Sequence, residues 1–599
     1  MIALTRRSML ATAALSALAP RLAFARPAQD IRFAAFLEGC YQRELKRDPT
    51  RQSALGLKDA QDRWTDVSEA HQAEGAAQVR ENLAQLRDFD TQTLSPAARL
   101  SRELFAYNAG QELTMHRWRH NYYPLCQMHG LQRTIPHTLI NYHPIENRKD
   151  AQDYIARLNG VPALIAQQIV VLNANAAQGA QPPRFVYPIV AGTCRNLIAG
   201  APFDGGADSP IFSDFKGKIG KLPLSSGEKA ALVGQAASAL TGSFAPGFRD
   251  LIAWLQAAEK TATYDAGVWA LPDGGAYYAA TLENETTLPL TAEAVHRLGL
   301  EHTARVQHEM RKLMGRVDFR GSLQDFFTFV RSDARFYFPN NAQGRDAYMT
   351  QTRAVIDDMS ARLGQVINRK PKHKLLVKAV EPWLEKSAGT AGYFGGSADG
   401  TKPGILYINL VDMKQLPKYE LSALAYHEGV PGHHVEISIS QELPDIPKFR
   451  RYGGYTAYSE GWGLYSEQLP KEIGLYRDPY QDFGRLSMEL LRTTRLVVDT
   501  GLHAKRWSRE QAIAYLDENL SESHSDNVTS VNRYCVVPGQ ATAYMIGKLK
   551  ILELRERARA RMGAHFDIRS FHDNLLGNGP VPLPVMDAVM TSWMSGHAN

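Results

Sequence analysis

Between Leu421 and Ser440 the sequence reads LSALAYHEGVPGHHVEISIS, which places three imidazoles (His427, His433, His434) and two carboxylates (Glu428, Glu436) within ten residues. The surroundings are apolar or small, so the stretch is not a solvated charged face. Leu421, Leu424 and Ala425 recur at helical spacing just upstream, and a buried helix is expected to lead into it. A zinc-dependent hydrolase needs two imidazoles on one side of the ion and a carboxylate beside the reacting water. The usual pattern is His-Glu-x-x-His, whose histidines share a helix face at i and i+4. Here the fourth residue after His427 is Pro431. On a straight helix His433, at i+6, points about 120° away, and His434, at i+7, lies about 10 Å along the axis. Neither can share an ion with His427 unless the helix deforms. Gly429, Pro431 and Gly432 permit that deformation. The segment reads as a His-Glu-x-x-His turn with two residues looped out, His433 serving as second ligand and Glu428 as general base. A kinked core helix with hydrogen-bonded histidines is the competing interpretation.

Residues 455–469, YTAYSEGWGLYSEQL, form a helical pattern with Glu460 and Glu467 two turns apart on one stripe. Sites of the two-His-one-Glu type take their third ligand from a downstream helix. Glu460, flanked by Gly461 and Gly463, is the expected ligand, and Glu467 a supporting residue behind it. Three further segments carry candidate groups. Ile405–Leu410 reads as a strand close before the metal helix, and as an edge strand it would pair with an extended substrate backbone, placing Tyr407 and Asn409 at the substrate. In RLVVDTGLH, Asp499 and His503 stand at i and i+4, where they can form a hydrogen-bonded pair that orients a ligand or shuttles a proton. Arg533 can hold a substrate carboxylate, and Tyr534 or Tyr544 can donate to a developing oxyanion.

The elements that must position these groups are mostly helices. The chain has 599 residues, 44% hydrophobic and 22% charged, enough for several lobes around a large core. Its formal charge of +6 falls to +3 without Arg6, Arg7 and Arg21, too mild for a nucleic-acid or anionic-membrane binder. Those arginines belong to a leader. Thr5-Arg6-Arg7-Ser8-Met9-Leu10 is a twin-arginine pattern, an apolar run follows, and Ala23-Phe24-Ala25 is a cleavage signal. Residues 1–25 therefore read as a Tat-type signal peptide of a bacterial protein bound for the periplasm or beyond, with no membrane span expected after it. Residues 26–290 are expected to form an N-terminal, mainly helical lobe and 291–599 the catalytic lobe. Within them, 179–226 is rich in Gly, Pro, Asp and Ser and reads as a surface excursion. Gly274–Thr287 reads as a short extended segment. Thr291 is expected to cap a helix to about Met314, with His296, His302 and His308 at solvated positions. Four widely spaced cysteines (Cys40, Cys126, Cys194, Cys535) allow at most two disulfides, of undetermined pairing.

In order along the chain, HEGVPGHH, YSEGWGLYSE, RLVVDTGLH and Arg533-Tyr534-x4-Gly539-Gln540-Ala541-Thr542-Ala543-Tyr544 resemble the bacterial family catalogued as domain of unknown function 885. The likeness covers roughly residues 30–595. That family looks like helical, gluzincin-like metallopeptidases of the zincin type. The resemblance implies a mainly α-helical fold with a small sheet beside the metal helix, a central channel, and hydrolysis of peptide or amide bonds. It makes His427 and His433 imidazole ligands, Glu460 the carboxylate ligand and Glu428 the base. His434 is either the true second ligand or a transition-state donor. One departure is Ser530, three before Arg533, where the family pattern leads one to expect an acid. The expected protein is an exported hydrolase of short peptides holding one Zn2+ per chain. A metal-dependent amidase or esterase of small molecules, or an inactive periplasmic binding protein, are the alternatives.

Overall fold

In the computed structural model, residues 27–381, 385, 389–397, 400–444 and 446–596 are described; the leader expected over residues 1–25 lies outside them. Among the described residues the chain is mainly α-helical, with one three-stranded sheet. The helices that build the site are α1 (Gly274–Thr286), α2 (Ala292–Arg316), α3 (Lys418–Glu428), α4 (His433–Gln441), α5 (Thr456–Ser466), α6 (Pro479–Ala504), α7 (His524–Val536) and α8 (Ala543–Met562).

The longest of these, α6, is the axis. Asp478 caps it, accepting from the Tyr480 amide at 3.0 Å, and Pro479 opens its first turn. Every residue from Asp482 to His503 except Leu491 is buried. Its apolar side chains serve two cores: Phe483, Leu486, Leu490, Val498 and Leu502 pack in the larger, Leu496 in the second. Its buried charges are paired. Glu489 meets Lys548 of α8 at 2.9 Å, Arg485 at 3.3 Å and Arg305 of α2, and Arg485 also meets Asp482 at 2.8 Å. Such groups survive burial only with partners, and these pairs tie α2 and α8 to α6.

The second core packs the helices that carry the candidate ligands, with α8 beside them: Leu421 and Ala425 of α3, Val435 and Ile439 of α4, Ala457 and Trp462 of α5, and Met545 and Ile551 of α8. Helices α5 and α8 touch backbone to backbone. A Cβ on Gly461 would lie 2.5 Å from Gly547 Cα, and one on Gly547 would lie 1.9 Å from Ala457 O.

The sheet comprises β1 (Leu375–Ala379), β2 (Ala391–Phe394) and β3 (Gly404–Ile408). The strand expected near 405–410 is present as β3, but it is the middle strand, parallel to β1 and antiparallel to β2. Tyr407 faces Lys378 on one side and Gly392 on the other. Both backbone edges are consumed, so β3 cannot add a substrate strand as its sequence suggested.

Other expectations are corrected. Gly274–Thr286 is helical rather than extended, because Tyr277, Tyr278, Thr281 and Leu282 bury one helical face. The stretch 179–226 contains helices Val186–Leu197 and Pro210–Gly220; Tyr187, Cys194 and Phe215 of these are buried in the larger core. Its prolines and serines act as helix starts, Ser209 and Pro210 opening the second. Thr291 caps α2 as expected, but His296 is buried, its Nδ1 2.8 Å from Thr500 Oγ1 of α6. The four cysteines are buried free thiols. Helix Arg148–Ala177 has the length and apolarity of a membrane span; its Leu158, Val161, Leu164 and Ile165 lie in the larger core.

Candidate metal centre

The metal motif is two helices rather than one bulged helix. α3 ends at Glu428, Gly429–Gly432 forms a turn containing a cis Val430–Pro431 peptide, and α4 starts at His433. Trp462 of α5 clamps this turn, its Nε1–H donating to Pro431 O at 3.0 Å and Gly432 O at 3.3 Å. The helix that carries Glu460 therefore also fixes the break that presents His433.

Across that break three side chains converge. Nε2 of His427 and Nε2 of His433 each lie 3.5 Å from Glu460 Oε2, and the three ligand atoms all fall within 4.8 Å of one another. The imidazole planes are perpendicular, with centroids 4.8 Å apart. A separation of 3.5 Å exceeds an ordinary N–H···O bond but matches the ~3.4 Å ligand–ligand edge expected around a tetrahedral ion with bonds of about 2.0–2.1 Å. Two imidazole nitrogens and one carboxylate oxygen are the donor set of a catalytic zinc site with its fourth position open. The residues present fit the ion.

Support behind the ligands is unequal. Nδ1 of His427 lies 2.8 Å from Glu467 Oε1, so the ring donates there and turns the Nε2 lone pair toward Glu460. Nδ1 of His433 faces Glu436 Oε2 at 3.9 Å, beyond hydrogen-bond reach, while Ser459 donates to Glu436 Oε1 at 3.3 Å. Gly463 leaves room for the first ring; a Cβ there would lie 2.8 Å from His427 Cε1.

The site is recessed and open on one side. The His427 side chain is 3% exposed, His433 12% and Glu460 22%. Burial opposes ionisation of Glu460, yet the two imidazoles outweigh it and hold the carboxyl well below the usual range. Burial likewise opposes charge on His433, but Glu436, Glu460 and Glu428 hold its pKa well above the ordinary value. His427 is raised in the same way, by Glu460 and Glu467 against burial.

Glu428 closes α3 beside His427 and is half-buried, and its charge acts on His433. Among the described residues no hydrogen bond or ion pair engages its carboxylate. His434 is not brought to the triplet. Its Nδ1 lies 3.0 Å from Tyr393 Oη of β2 and 3.4 Å from Ser438 Oγ, and burial pushes its pKa down to about 4.

Asp499 and His503 share a face of α6 but do not pair. Asp499 accepts from Tyr278 Oη at 2.6 Å and from the Gly539 amide at 3.0 Å. Nδ1 of His503 accepts from the Val268 amide at 3.1 Å, leaving Nε2–H to donate to Tyr534 O at 3.0 Å. They anchor the segment from Tyr534 to Gly539, and the expected pair is corrected accordingly. Arg533 donates to Gln540 Oε1 at 2.6 Å and stands 3.4 Å from Tyr544 Oη. The Tyr534 hydroxyl accepts from Arg495 Nε at 2.9 Å, and Tyr534 is 1% exposed. On β3, the Tyr407 ring packs edge-on to Phe394; just after the strand, Asn409 Nδ2 donates to Glu385 O at 2.7 Å.

Sequence reasoning missed Trp462, Arg492 and Arg495, and it noted Gly463 and Glu436 without seeing that they border the His427 and His433 rings. Glu436 follows His433 by three residues, a legible one-turn spacing. Arg492 and Arg495, one turn apart in LLRTTRLVV, were also visible as charges inside an otherwise apolar helix. Tyr393 carried no local signal.

Over residues 49–590 the chain matches the family described as "Bacterial protein of unknown function (DUF885)", and it belongs to that family. A crystal structure described as the "putative lipoprotein from Colwellia psychrerythraea" is 30% identical with a TM-score of 0.88, covering 95% of this chain and 99% of that one. A "putative lipoprotein of unknown function from Shewanella oneidensis" shares the fold, with 19% identity, a TM-score of 0.72, and coverage of 93% of this chain and 99% of that one. No curated protein matches the chain.

Proposed function

We propose that this family member is an exported, zinc-dependent hydrolase that cleaves amide bonds of short peptides, built on a zincin-like helical frame. The observation that carries the reading is the convergence of His427 Nε2 and His433 Nε2 on Glu460 Oε2 at 3.5 Å, with Glu467 orienting the first ring. An envelope location is supported by the twin-arginine leader and by the description of its structural neighbours as lipoproteins.

His427, His433 and Glu460 would hold one zinc ion, which supplies Lewis acidity toward a carbonyl and makes water acidic near neutral pH. Glu428, with its carboxylate uncommitted beside His427, takes the proton of the attacking water and returns it to the leaving nitrogen. The two imidazoles keep Glu460 anionic against burial, and Glu467 fixes His427 in one tautomer, so little has to reorganise during turnover. Each candidate oxyanion donor accepts from an arginine, Tyr544 from Arg533 and Tyr534 from Arg495, and neither contact uses the phenolic proton that the role requires.

The test is Glu428→Gln. It retains about one zinc per chain and lowers peptide hydrolysis by about a hundredfold or more, the usual worth of a general base. Hydrolysis at the parental rate would remove Glu428 from the reaction.

A further inference from the structure

The second unusual feature is positive charge. Three arginines meet around Tyr544. Arg495 Cζ lies 4.8 Å and Arg492 Cζ 5.4 Å from its ring centroid, and Arg533 Nη2 lies 3.4 Å from its hydroxyl. Arg492 and Arg495 are each 7% exposed. Among the described residues none of the three makes an ion pair. Their hydrogen bonds are sparse. Arg495 Nε donates to Tyr534 Oη, Arg492 reaches only Met488 Sδ at 3.8 Å, and Arg533 donates to Gln540. Among the described residues, Arg492 Nε and Arg495 Nη1 have no hydrogen-bond partner.

Buried, unpaired guanidinium groups are costly, and a protein normally neutralises them with a carboxylate at contact distance. Acids do act on these arginines from farther off: Glu460 and Glu522 on both α6 arginines, Glu467 and Glu420 on Arg492, and Glu285 on Arg533. Glu460 and Glu467 belong to the candidate metal centre, so the arginine cluster lies within electrostatic reach of it. Tyr544 holds the guanidinium planes by cation–π contact while leaving N–H donors open. Flat donor forks of this kind match a carboxylate.

We infer that Arg492, Arg495 and Arg533 form a subsite for the free terminal carboxylate of a peptide substrate, so that the enzyme works inward from peptide C-termini. This rests on the hydrolase reading for the bond that is cleaved, but the anion subsite is built from residues outside the metal ligands and can be tested without metal.

The experiment uses the full mature chain and N-acetylated short peptides, each made as the free acid and as the C-terminal amide. Binding to metal-free protein is measured by calorimetry, and hydrolysis is followed with zinc. The free acid is expected to bind at least about thirtyfold more tightly than the amide, as befits a charge-assisted contact, and to be the form that is cleaved. Arg495→Gln and Arg492→Gln are expected to reduce this preference at least about tenfold while zinc content stays at the parental level. Equal binding of acid and amide by the parental protein, or no binding of either, would overturn the inference whether or not the variants fold. So would inorganic phosphate binding with no acid–amide discrimination, which would assign the cluster to another anion. If acid preference survives in binding but no peptide is hydrolysed, the hydrolase reading fails and the carboxylate subsite stands. If peptides are hydrolysed as acid and amide alike, only the subsite fails.

Discussion

The Nδ1–H of His427 donates to Glu467 Oε1 at 2.8 Å across the α3–α5 interface, and that bond decides which ring nitrogen faces Glu460. Glu467 is 1% exposed and lies two turns beyond Glu460 on the same helix stripe. One segment of α5 therefore supplies the candidate ligand Glu460, a ring orienter just beyond its C-terminal end, and the Trp462 clamp on the turn between.

Removing the orienter should weaken metal binding without removing a ligand. Glu467→Gln is expected to lower zinc affinity about 10–100-fold, the usual cost of losing such a partner. Competition with a chelator of known affinity, alongside a thermal melt of the metal-free protein, separates the two effects. Unchanged affinity would mean that Glu467 serves packing only.

Gly463 makes a steric prediction. Its missing Cβ is what allows the His427 ring to lie against α5, 2.8 Å from where that carbon would stand. Gly463→Ala should displace the ring and reduce zinc occupancy, while helix content by circular dichroism stays within error of the parent. Alanine is the better helix former, so any loss cannot be blamed on propensity.

His503 predicts a pH dependence. Its two backbone partners fix a neutral ring, and burial pushes its pKa down to about 4. The unfolded chain binds a proton near pH 6.5, whereas the folded chain does not until about pH 4. Its contribution is thus complete above about pH 6.5 and is lost as pH falls toward 4, by about 3 kcal/mol in all. Asp499, raised to about 7 by burial, has the opposite sign in this window, so the parental slope alone mixes the two. Denaturant unfolding of parent and His503→Gln between pH 4 and 7 isolates the group. The stability gap should narrow as pH falls, and a gap constant with pH would contradict the assignment.

Much of the candidate site could be read in the sequence, because its signals are local. A His-Glu pair, a Pro-Gly break and a second histidine lie within seven residues, and the carboxylate that meets them, Glu460, stands in a glycine-flanked helix. Where spacing alone was used, long-range packing prevailed. Asp499 and His503 stand one turn apart, yet their partners arrive from Tyr278, Gly539, Val268 and Tyr534 because α6 is enclosed on all sides. The 274–287 stretch looked extended from its glycines and β-prone tyrosines, but burial of one face makes it a helix. The β3 strand was legible, while its central place in the sheet was not, since its two neighbours both precede it in the chain and pair with it from opposite sides.

The most direct test of the metal centre is zinc stoichiometry by mass spectrometry on the mature protein, compared with His433→Ala and His434→Ala. The account predicts about one zinc in the parent, loss in His433→Ala and retention in His434→Ala, whose ring the structure holds against Tyr393. Loss in His434→Ala with retention in His433→Ala would contradict the ligand set. No stoichiometric metal in zinc-loaded parent would remove the metal centre altogether.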